Sequence, residues 1–148
     1  TFGIPASEIC RAIADYTPMN NRSQWMATPR NRLLIDAYNA NPSSMRAAID
    51  NFAAWTVGPK AVILGDMYEL GDESPALHAE VVRRLAACDF DRVILCGPRF
   101  TAVGRDRYAC FPTAEALAEA LTDEPLSGYH ILIKGSHGMH LERLIPAL

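Results

Sequence analysis

Residues 33–42 read Leu-Leu-Ile-Asp-Ala-Tyr-Asn-Ala-Asn-Pro, an apolar run that stops at an acid and then passes through two asparagines into a proline. Such a run is typical of a strand inside a parallel sheet, and the polar residues after it then lie at the strand's carboxyl end, where open α/β sheets bind ligands. Asn41 can cap a following helix and Pro42 can be its first residue, which leaves backbone N–H groups that favour an anion. The segment therefore predicts a ligand-binding loop at the edge of a sheet.

Similar apolar runs alternate with helical patterns along the rest of the chain. The predicted strands after residues 33–35 are 60–64, 92–96 and 129–133, with a short extra one at 108–111. The predicted helices are 5–14, 42–55, 75–88, 113–121 and about 139–144, with an irregular connector over 15–32. Strands that alternate with helices indicate βαβ units. The expected fold is α/β, a Rossmann-like three-layer α/β/α sandwich with a mainly parallel sheet.

Composition excludes several classes of partner. The 148 residues are 49% hydrophobic, which suits one ordinary domain. The net charge of −3 and the lack of a Lys/Arg cluster argue against nucleic acid or an anionic membrane as partner. No run approaches the roughly 18 apolar residues that span a bilayer. Cys10, Cys88, Cys96 and Cys110 lack CxxC spacing, which favours reduced thiols and a cytoplasmic protein.

Charged residues end three of the predicted strands. Asp36, Asp66 and Lys134 hold these positions, so a parallel sheet would gather them at one edge. The loop 65–71 contains two acids between glycines, which could hold a metal ion or an ammonium group, although solvated loop charges are the simpler interpretation. Residues 134–136 form a basic, glycine-containing loop that suits a phosphate or carboxylate, but no GxxxxGK pattern precedes Lys134.

Taken together and in this order, the loops 36–42, 65–71 and 134–136 resemble the C-terminal domain of the Mur ligases, in particular the members that add D-alanyl-D-alanine to UDP-N-acetylmuramoyl-tripeptide. The resemblance runs from about Arg22 to the end of the chain. It implies that residues 1–31 are the tail of a central domain with a connector, and that residues 32–148 are the C-terminal domain.

The family implies an ATP-dependent amide ligase of peptidoglycan synthesis, and so of cell-wall biogenesis, cell shape and cell division. ATP phosphorylates the substrate carboxylate, and the amine of the dipeptide attacks the acyl phosphate. ATP and Mg²⁺ would be bound mainly by the central domain of the same polypeptide, over which this domain closes. The expected protein is a cytoplasmic monomer, and the fragment alone is expected to be inactive.

Residue roles follow from the same resemblance. Arg22 resembles an arginine that reaches the ATP phosphates and Asp36 an acid that touches the ribose, while Tyr38, Asn39 and Asn41 belong to the same nucleotide-binding loop. The residues that resemble the wall of the dipeptide pocket are Asp66, Glu69, Lys134, Gly135 and Ser136. No catalytic set is complete within the chain, and no metal site is expected in it.

Two other functions fit parts of the sequence. A response-regulator-like signalling domain would use Asp66 as phosphoacceptor, and labelling by acetyl phosphate would reveal it. Receivers need a pair of acids at the first strand, however, whereas Asp36 stands alone and Asp66 ends the very next strand. A dinucleotide-binding oxidoreductase domain ranks last, because GxGxxG is missing after the first strand.

Overall fold

The computed structural model describes residues 24–37 and 39–148. The strands are β1 (Gln24–Ala27), β2 (Arg32–Asp36), β3 (Lys60–Gly65), β4 (Arg92–Cys96), β5 (Ala109–Phe111) and β6 (His130–Lys134). The α-helices are α1 (Pro42–Ala53), α2 (Ser74–Ala86), α3 (Pro98–Gly104) and α4 (Ala114–Asp123). Short 3₁₀ segments cover Gly71–Glu73, His137–Met139 and Leu141–Ala147.

The six strands form one sheet in the order β1-β2-β6-β3-β4-β5. All neighbouring pairs are parallel except β1 and β2, which pair antiparallel at one edge. From β3 the chain passes through β4 to β5, and it then returns through α4 to insert β6 between β2 and β3. The carboxyl ends of β2 and β6 are therefore neighbours, although 98 positions separate Asp36 from Lys134 in the sequence.

A hydrophobic core lies on each face of the sheet. On one face, Ile49 of α1 and Leu85 of α2 join the same buried cluster as Leu64 of β3. On the other, Leu117 of α4 packs in a cluster with Ile133 of β6 and with the C-terminal 3₁₀ segment. Because helices cover both faces of a mainly parallel sheet, the predicted three-layer α/β/α sandwich is confirmed.

Local capping explains where two of the helices begin. Asn41 caps α1 with its side chain, and the Thr113 hydroxyl accepts the Ala116 N–H at 3.1 Å at the start of α4, as the sequence predicts. Ser74, also predicted as a cap, is instead the first residue of α2, and its hydroxyl lies 3.2 Å from His78 Nδ1.

Three sequence expectations differ from the structure. Gln24–Ala27 is a strand and not part of an irregular connector. Residues 98–104 form a helix that the sequence pattern did not predict. The C-terminal helix expected near 139–144 consists of 3₁₀ turns. The predicted helix over 5–14, Arg22 and Tyr38 lie outside the described residues, and the domain boundary at residue 32 stays a prediction.

The β1–β2 turn is tied to the far end of the chain. Asn31 Nδ2 donates to the main-chain oxygens of Leu126 and Leu148 at 2.9 and 2.7 Å, and Thr28 Oγ1 donates to the same Leu148 oxygen at 2.8 Å. Both polar side chains are buried, so these bonds satisfy groups that would otherwise be costly to bury. Residues 28–31 therefore pack as part of the sandwich.

Two further expectations concern cysteines and membranes. Cys88, Cys96 and Cys110 are free thiols, and burial raises the pKa of the Cys96 thiol to about 12. Within residues 24–37 and 39–148, no helix has the length and apolar character that crossing a bilayer requires.

Candidate functional site

Asp36 and Lys134 form an ion pair at the carboxyl ends of β2 and β6. The sheet register places the two residues side by side. Lys134 Nζ donates to Asp36 Oδ2 at 2.8 Å and to the main-chain oxygen of Asn39 at 3.1 Å. Only 2% of the Lys134 side chain is exposed, against 14% for Asp36. Because a buried ammonium group needs partners, Lys134 fixes Asp36 and the following loop and does not face solvent.

A cavity of about 130 Å³ lies beside this pair and is lined by Asp36, Asn39, Asn41, Ser44 and Lys134. Asp36 Oδ1 has no hydrogen-bond partner among the described residues, and Asn39 is exposed. A carboxylate oxygen accepts hydroxyl groups, and an amide both donates and accepts. The volume is below the roughly 300 Å³ of a typical ligand cleft, so the cavity fits a hydroxyl-bearing part of a larger ligand.

The first turn of α1 uses most of its own donors. Asn41 Oδ1 accepts the Ser44 N–H at 2.8 Å, and Ser44 Oγ accepts the Asn41 N–H at 3.1 Å. Pro42 has no N–H, and the Met45 N–H donates to the Asn41 carbonyl at 2.9 Å. This capping box occupies donors that an anion would otherwise bind. The helix start is therefore a weaker anion site than the sequence predicts.

Asp66 follows β3 and is fully buried. Its Oδ2 accepts the Arg99 N–H at 2.9 Å and its Oδ1 accepts the Phe100 N–H at 2.8 Å, so the carboxylate caps the first turn of α3. Gly97 allows this approach, because its φ is 110° and a Cβ there would lie 2.4 Å from Asp66 Cγ. The structure places Asp66 beneath α3, with both oxygens occupied.

The loops 65–71 and 134–136 pack directly against each other. Ser136 Oγ accepts the Tyr68 N–H at 2.9 Å, and the Ser136 N–H donates to the Asp66 carbonyl at 3.1 Å. A Cβ on Gly135 would lie 3.0 Å from Gly65 Cα, so the two backbones approach as closely as glycines permit. Ser136 and Gly135 thus join the two loops.

The residues predicted to line one dipeptide pocket differ in how many of their polar groups remain available. Glu69 is exposed, has a left-handed backbone with φ of 64°, and offers a carboxylate without a partner in the described part of the chain. Lys134 lies with Asp36, whereas Asp66 and Ser136 are committed to internal bonds. The structure brings Asp36, Asn39, Asn41 and Lys134 around one cavity, and the ligand that each residue binds stays a prediction.

His78 is a helix-face histidine that links α2 to the loop after β3. Its Nε2 accepts the Met67 N–H at 3.0 Å, so the proton lies on Nδ1, which is 2.7 Å from the Ser74 carbonyl. The residue is fully buried, and burial lowers the pKa of the imidazole. Neutral His78 thus holds the loop after β3 against α2. In the sequence, His78 lies on the same helix face as the apolar residues 81, 82 and 85, and this position is the pattern that indicates its burial.

The described residues offer no ligand set for a divalent metal ion. In that part of the chain no group of three or more His, Cys, Asp or Glu side chains is arranged to hold one. Magnesium prefers oxygen ligands from carboxylates, and here the Asp36 carboxylate is bound to Lys134 and the Asp66 carboxylate to α3. The site therefore suits hydroxyl and ammonium groups better than Mg²⁺.

Comparisons with known proteins agree on one family. The family model described as Mur ligase, glutamate ligase domain, matches residues 21–137. The chain is 38% identical to UDP-N-acetylmuramoyl-tripeptide–D-alanyl-D-alanine ligase of Treponema pallidum, over 99% of this chain and 33% of that protein. It is 32% identical to the Bacillus subtilis protein of the same name, over 99% of this chain and 34% of that protein. The chain thus spans about a third of the length of these relatives.

Solved structures give the same result for the fold. MurF from Acinetobacter baumannii matches with a TM-score of 0.74 and 28% identity, over 97% of this chain and 33% of that one. MurF ligase from Thermotoga maritima, solved in complex with ADP, matches with a TM-score of 0.71 over 90% of this chain and 31% of that one. Its identity is 23%, so it bears on the fold alone.

Proposed function

The chain belongs to the Mur ligase family, and we propose that it is the C-terminal domain of a ligase in that family. This ligase uses ATP to join D-alanyl-D-alanine to UDP-N-acetylmuramoyl-tripeptide. The resemblance inferred from residues 36–42, 65–71 and 134–136 is confirmed. The substrates are proposed from the names of the Treponema pallidum and Bacillus subtilis relatives, whose similarity extends over nearly the whole chain. These relatives are about three times as long as this chain, and the proposal assigns the complete activity to a polypeptide of that length.

The geometry that carries the proposal is the Asp36–Lys134 pair beside the polar cavity. Lys134 holds Oδ2 of Asp36 and leaves Oδ1 to accept a ribose hydroxyl of ATP. The ammonium charge of Lys134 also neutralises the carboxylate, so the pair adds no net negative charge near the triphosphate. Asn39 and Asn41 line the same cavity. Arg22 and Tyr38, which lie outside the described residues, complete the proposed nucleotide set.

The proposed reaction has two steps. ATP transfers its terminal phosphoryl group to the carboxylate of the tripeptide substrate and leaves as ADP. The ammonium group of the dipeptide then loses a proton, and the neutral amine attacks the acyl carbon and displaces phosphate. Phosphoryl transfer depends mainly on positioning and on charge stabilisation. This chain contributes positioning, because its polar groups hold one edge of the nucleotide while other parts of the longer polypeptide supply the remaining contacts. Mg²⁺ would supply charge neutralisation of the phosphates, from ligands outside the described residues.

The second part of the proposal concerns the dipeptide. The free carboxylate of Glu69 suits the ammonium group of an amino substrate. Asp66, Gly135 and Ser136 support that region indirectly, since they hold the loops 65–71 and 134–136 together. In this proposal Lys134 belongs to the dipeptide pocket as the residue that joins the wall of the pocket to the nucleotide-binding loop. A cytoplasmic location and a monomeric state remain part of the same proposal.

The signalling alternative is not supported. A phosphoacceptor carboxylate must be reached by a phosphodonor, whereas Asp66 is fully buried and each of its oxygens accepts a backbone N–H group. The family match removes the remaining reason to prefer it.

The experiment compares Asp36→Asn with the unmodified full-length ligase, using ATP and 2′,3′-dideoxy-ATP, which lacks both ribose hydroxyls. Loss of a hydrogen bond to a charged group costs about 1.5–3 kcal/mol. The KM for ATP should therefore rise about tenfold to a hundredfold, while the KM for D-alanyl-D-alanine changes by less than about twofold. The unmodified enzyme should favour ATP over the dideoxy analogue, and Asp36→Asn should lose that preference.

Asp50→Asn is the matched control. Asp50 forms an exposed ion pair with Arg84, with Arg84 Nη2 and Asp50 Oδ2 2.6 Å apart, on the outer surface of α1 and α2. This variant should keep the kinetic constants of the unmodified enzyme. If Asp36→Asn retains full preference for ATP over the dideoxy analogue, Asp36 does not contact the ribose.

A further inference from the structure

Arg99 presents a guanidinium group at the same edge of the sheet, and neither the fold nor the predicted site uses it. It is the second residue of α3, which begins directly after the carboxyl end of β4. Its backbone N–H is fixed by Asp66, but 46% of its side chain is exposed. The guanidinium carbon lies 5.1 Å from the centroid of the Tyr68 ring, so the aromatic face supports the cation.

The Asp66 carboxylate does not satisfy this guanidinium. Arg99 Nη1 lies 3.9 Å from Asp66 Oδ2, beyond hydrogen-bond distance, and both Asp66 oxygens already accept backbone N–H groups. The planar set of Arg99 donors is therefore still available to an anion. A guanidinium binds a carboxylate through two parallel hydrogen bonds, which gives both affinity and orientation.

A small apolar cavity lies beside Arg99. It has a volume of about 240 Å³ and is lined by Ser74, Pro75, Pro98, Arg99, Ala102 and Val103. Apart from Arg99 the only polar side chain is that of Ser74, whose hydroxyl lies 3.2 Å from His78 Nδ1. The cavity therefore accepts small aliphatic groups, and Arg99 is the one charged residue among those that line it.

We propose that Arg99 and this cavity bind the carboxyl-terminal end of the amino substrate, with its carboxylate on the guanidinium and its methyl side chain among Pro75, Pro98 and Val103. The class of ligand is a short peptide with small side chains and a free carboxylate. This inference rests on the proposed function, because D-alanyl-D-alanine has both features. It adds a specificity residue on α3 to a site otherwise described on the loops after β2, β3 and β6.

The dipeptide orientation follows from the positions of the charges. Arg99 follows β4, whereas Glu69 lies on the loop after β3, and β3 and β4 are neighbours in the sheet. A zwitterionic dipeptide can therefore place its carboxylate on Arg99 and its ammonium end towards the side of Glu69.

The test uses the full-length ligase with D-alanyl-D-alanine and with D-alanyl-D-alaninamide, which lacks the carboxylate. In the unmodified enzyme the amide should have a kcat/KM about tenfold to a hundredfold lower, the size expected for a hydrogen bond to a charged group. Arg99→Met should raise the KM for the dipeptide by a similar factor and bring the two substrates to within about twofold. The KM for ATP should not change, and Arg99→Lys should retain part of the preference.

Arg105→Met is the control, because it removes the same charge from an exposed position directly after α3. It should behave as the unmodified enzyme. If the unmodified enzyme uses the amide as well as the acid, or if Arg99→Met keeps the preference for the acid, this inference is overturned while the proposed function stands. If no product forms from D-alanyl-D-alanine at all, the proposed function itself fails.

Discussion

At the scale of single residues, the environment changes what a charged side chain can do. Lys134 suits a phosphate or carboxylate ligand when it is considered alone. In the structure its amine is buried and its donors go to Asp36 and to the loop that contains Asn39. Its charge therefore fixes the Asp36 carboxylate and the loop that follows it.

Replacing Lys134 by methionine should destabilise the domain. The change leaves the largely buried Asp36 carboxylate without its cation, which costs about 3 kcal/mol in comparable buried pairs. Urea unfolding at pH 7 measures the loss. The double variant Asp36→Asn with Lys134→Met should recover part of it, since no uncompensated charge then remains. A double variant less stable than Lys134→Met alone would show that the pair is not the source of the effect.

Gly97 should tolerate no side chain. Gly97→Ala combines a φ of 110°, which L residues rarely adopt, with a Cβ 2.4 Å from Asp66 Cγ. The expected loss in the free energy of unfolding is about 2–4 kcal/mol. Gly128→Ala is the matched control, because Gly128 has a φ of 81° but nothing within 4 Å of an added Cβ. Its loss should be only about 1 kcal/mol, and equal losses in the two variants would rule out the contact with Asp66.

At the scale of elements, the strands and helices that carry strong local patterns were predictable. The apolar runs that became β2, β3, β4 and β6 lie within one or two residues of their predicted positions, as do the starts of α1, α2 and α4. β1 was missed because Gln-Trp-Met-Ala has no clear alternation and gains its bonds only by pairing with β2. α3 was missed because its seven residues depend on a cap from Asp66, 32 positions before the helix begins at Pro98.

The packing of α2 should make stability depend on pH through His78. Burial lowers the pKa of His78 below the ordinary value of 6.5. At pH values between the lowered pKa of the folded protein and the ordinary pKa of the unfolded chain, the unfolded chain binds more protons than the folded one. The free energy of unfolding therefore falls as the pH falls below about 6.5. Protonation also removes the acceptor for the Met67 N–H. Urea midpoints between pH 8 and pH 5 measure this loss.

His78→Gln is the informative variant, because an amide can keep one donor and one acceptor without titrating over this range. It should flatten the dependence on pH below 6.5. His137→Gln removes an exposed histidine and should leave that dependence in place. An unchanged pH profile in His78→Gln would assign the effect to other groups.

At the scale of the whole molecule, the candidate site exists because β6 returns to the middle of the sheet. This return places Lys134 beside Asp36 and brings the loop 134–136 against the loop 65–71. One edge of the sandwich thus carries the polar cavity, the exposed Glu69 and Arg99. Each offers part of a binding surface, and the cavity of about 130 Å³ is too small to enclose a nucleotide.

The 148-residue chain by itself should therefore form no product from ATP, UDP-N-acetylmuramoyl-tripeptide and D-alanyl-D-alanine. Its sequence lacks a GxxxxGK phosphate loop, and its described residues provide no ligand set for Mg²⁺. Phosphate release and product formation measure the outcome, with the full-length Bacillus subtilis ligase as positive control. Product formed by this chain alone would contradict the division of labour proposed here.

The candidate site was only partly predictable. Asp36, Asn39 and Asn41 follow one strand, so their proximity is a local property of the sequence. The partner of Lys134 could not be predicted from the sequence, since the order of the strands had to be known before Asp36 could be chosen over Asp66. Arg99 was missed because it lies inside an unpredicted helix and its aromatic support, Tyr68, belongs to another loop.

The amino-acid sequence by itself determined the fold class, the family and the loops that carry polar groups, because alternating apolar runs, caps and turn residues act over a few positions. Only the tertiary structure decided which of those polar groups remain available. Asp66 and Ser136 form hydrogen bonds within the protein, and Lys134 pairs with Asp36. Glu69 and Arg99 remain exposed. The physical reason is that a buried polar group must find a partner wherever the fold brings one, at any distance along the chain.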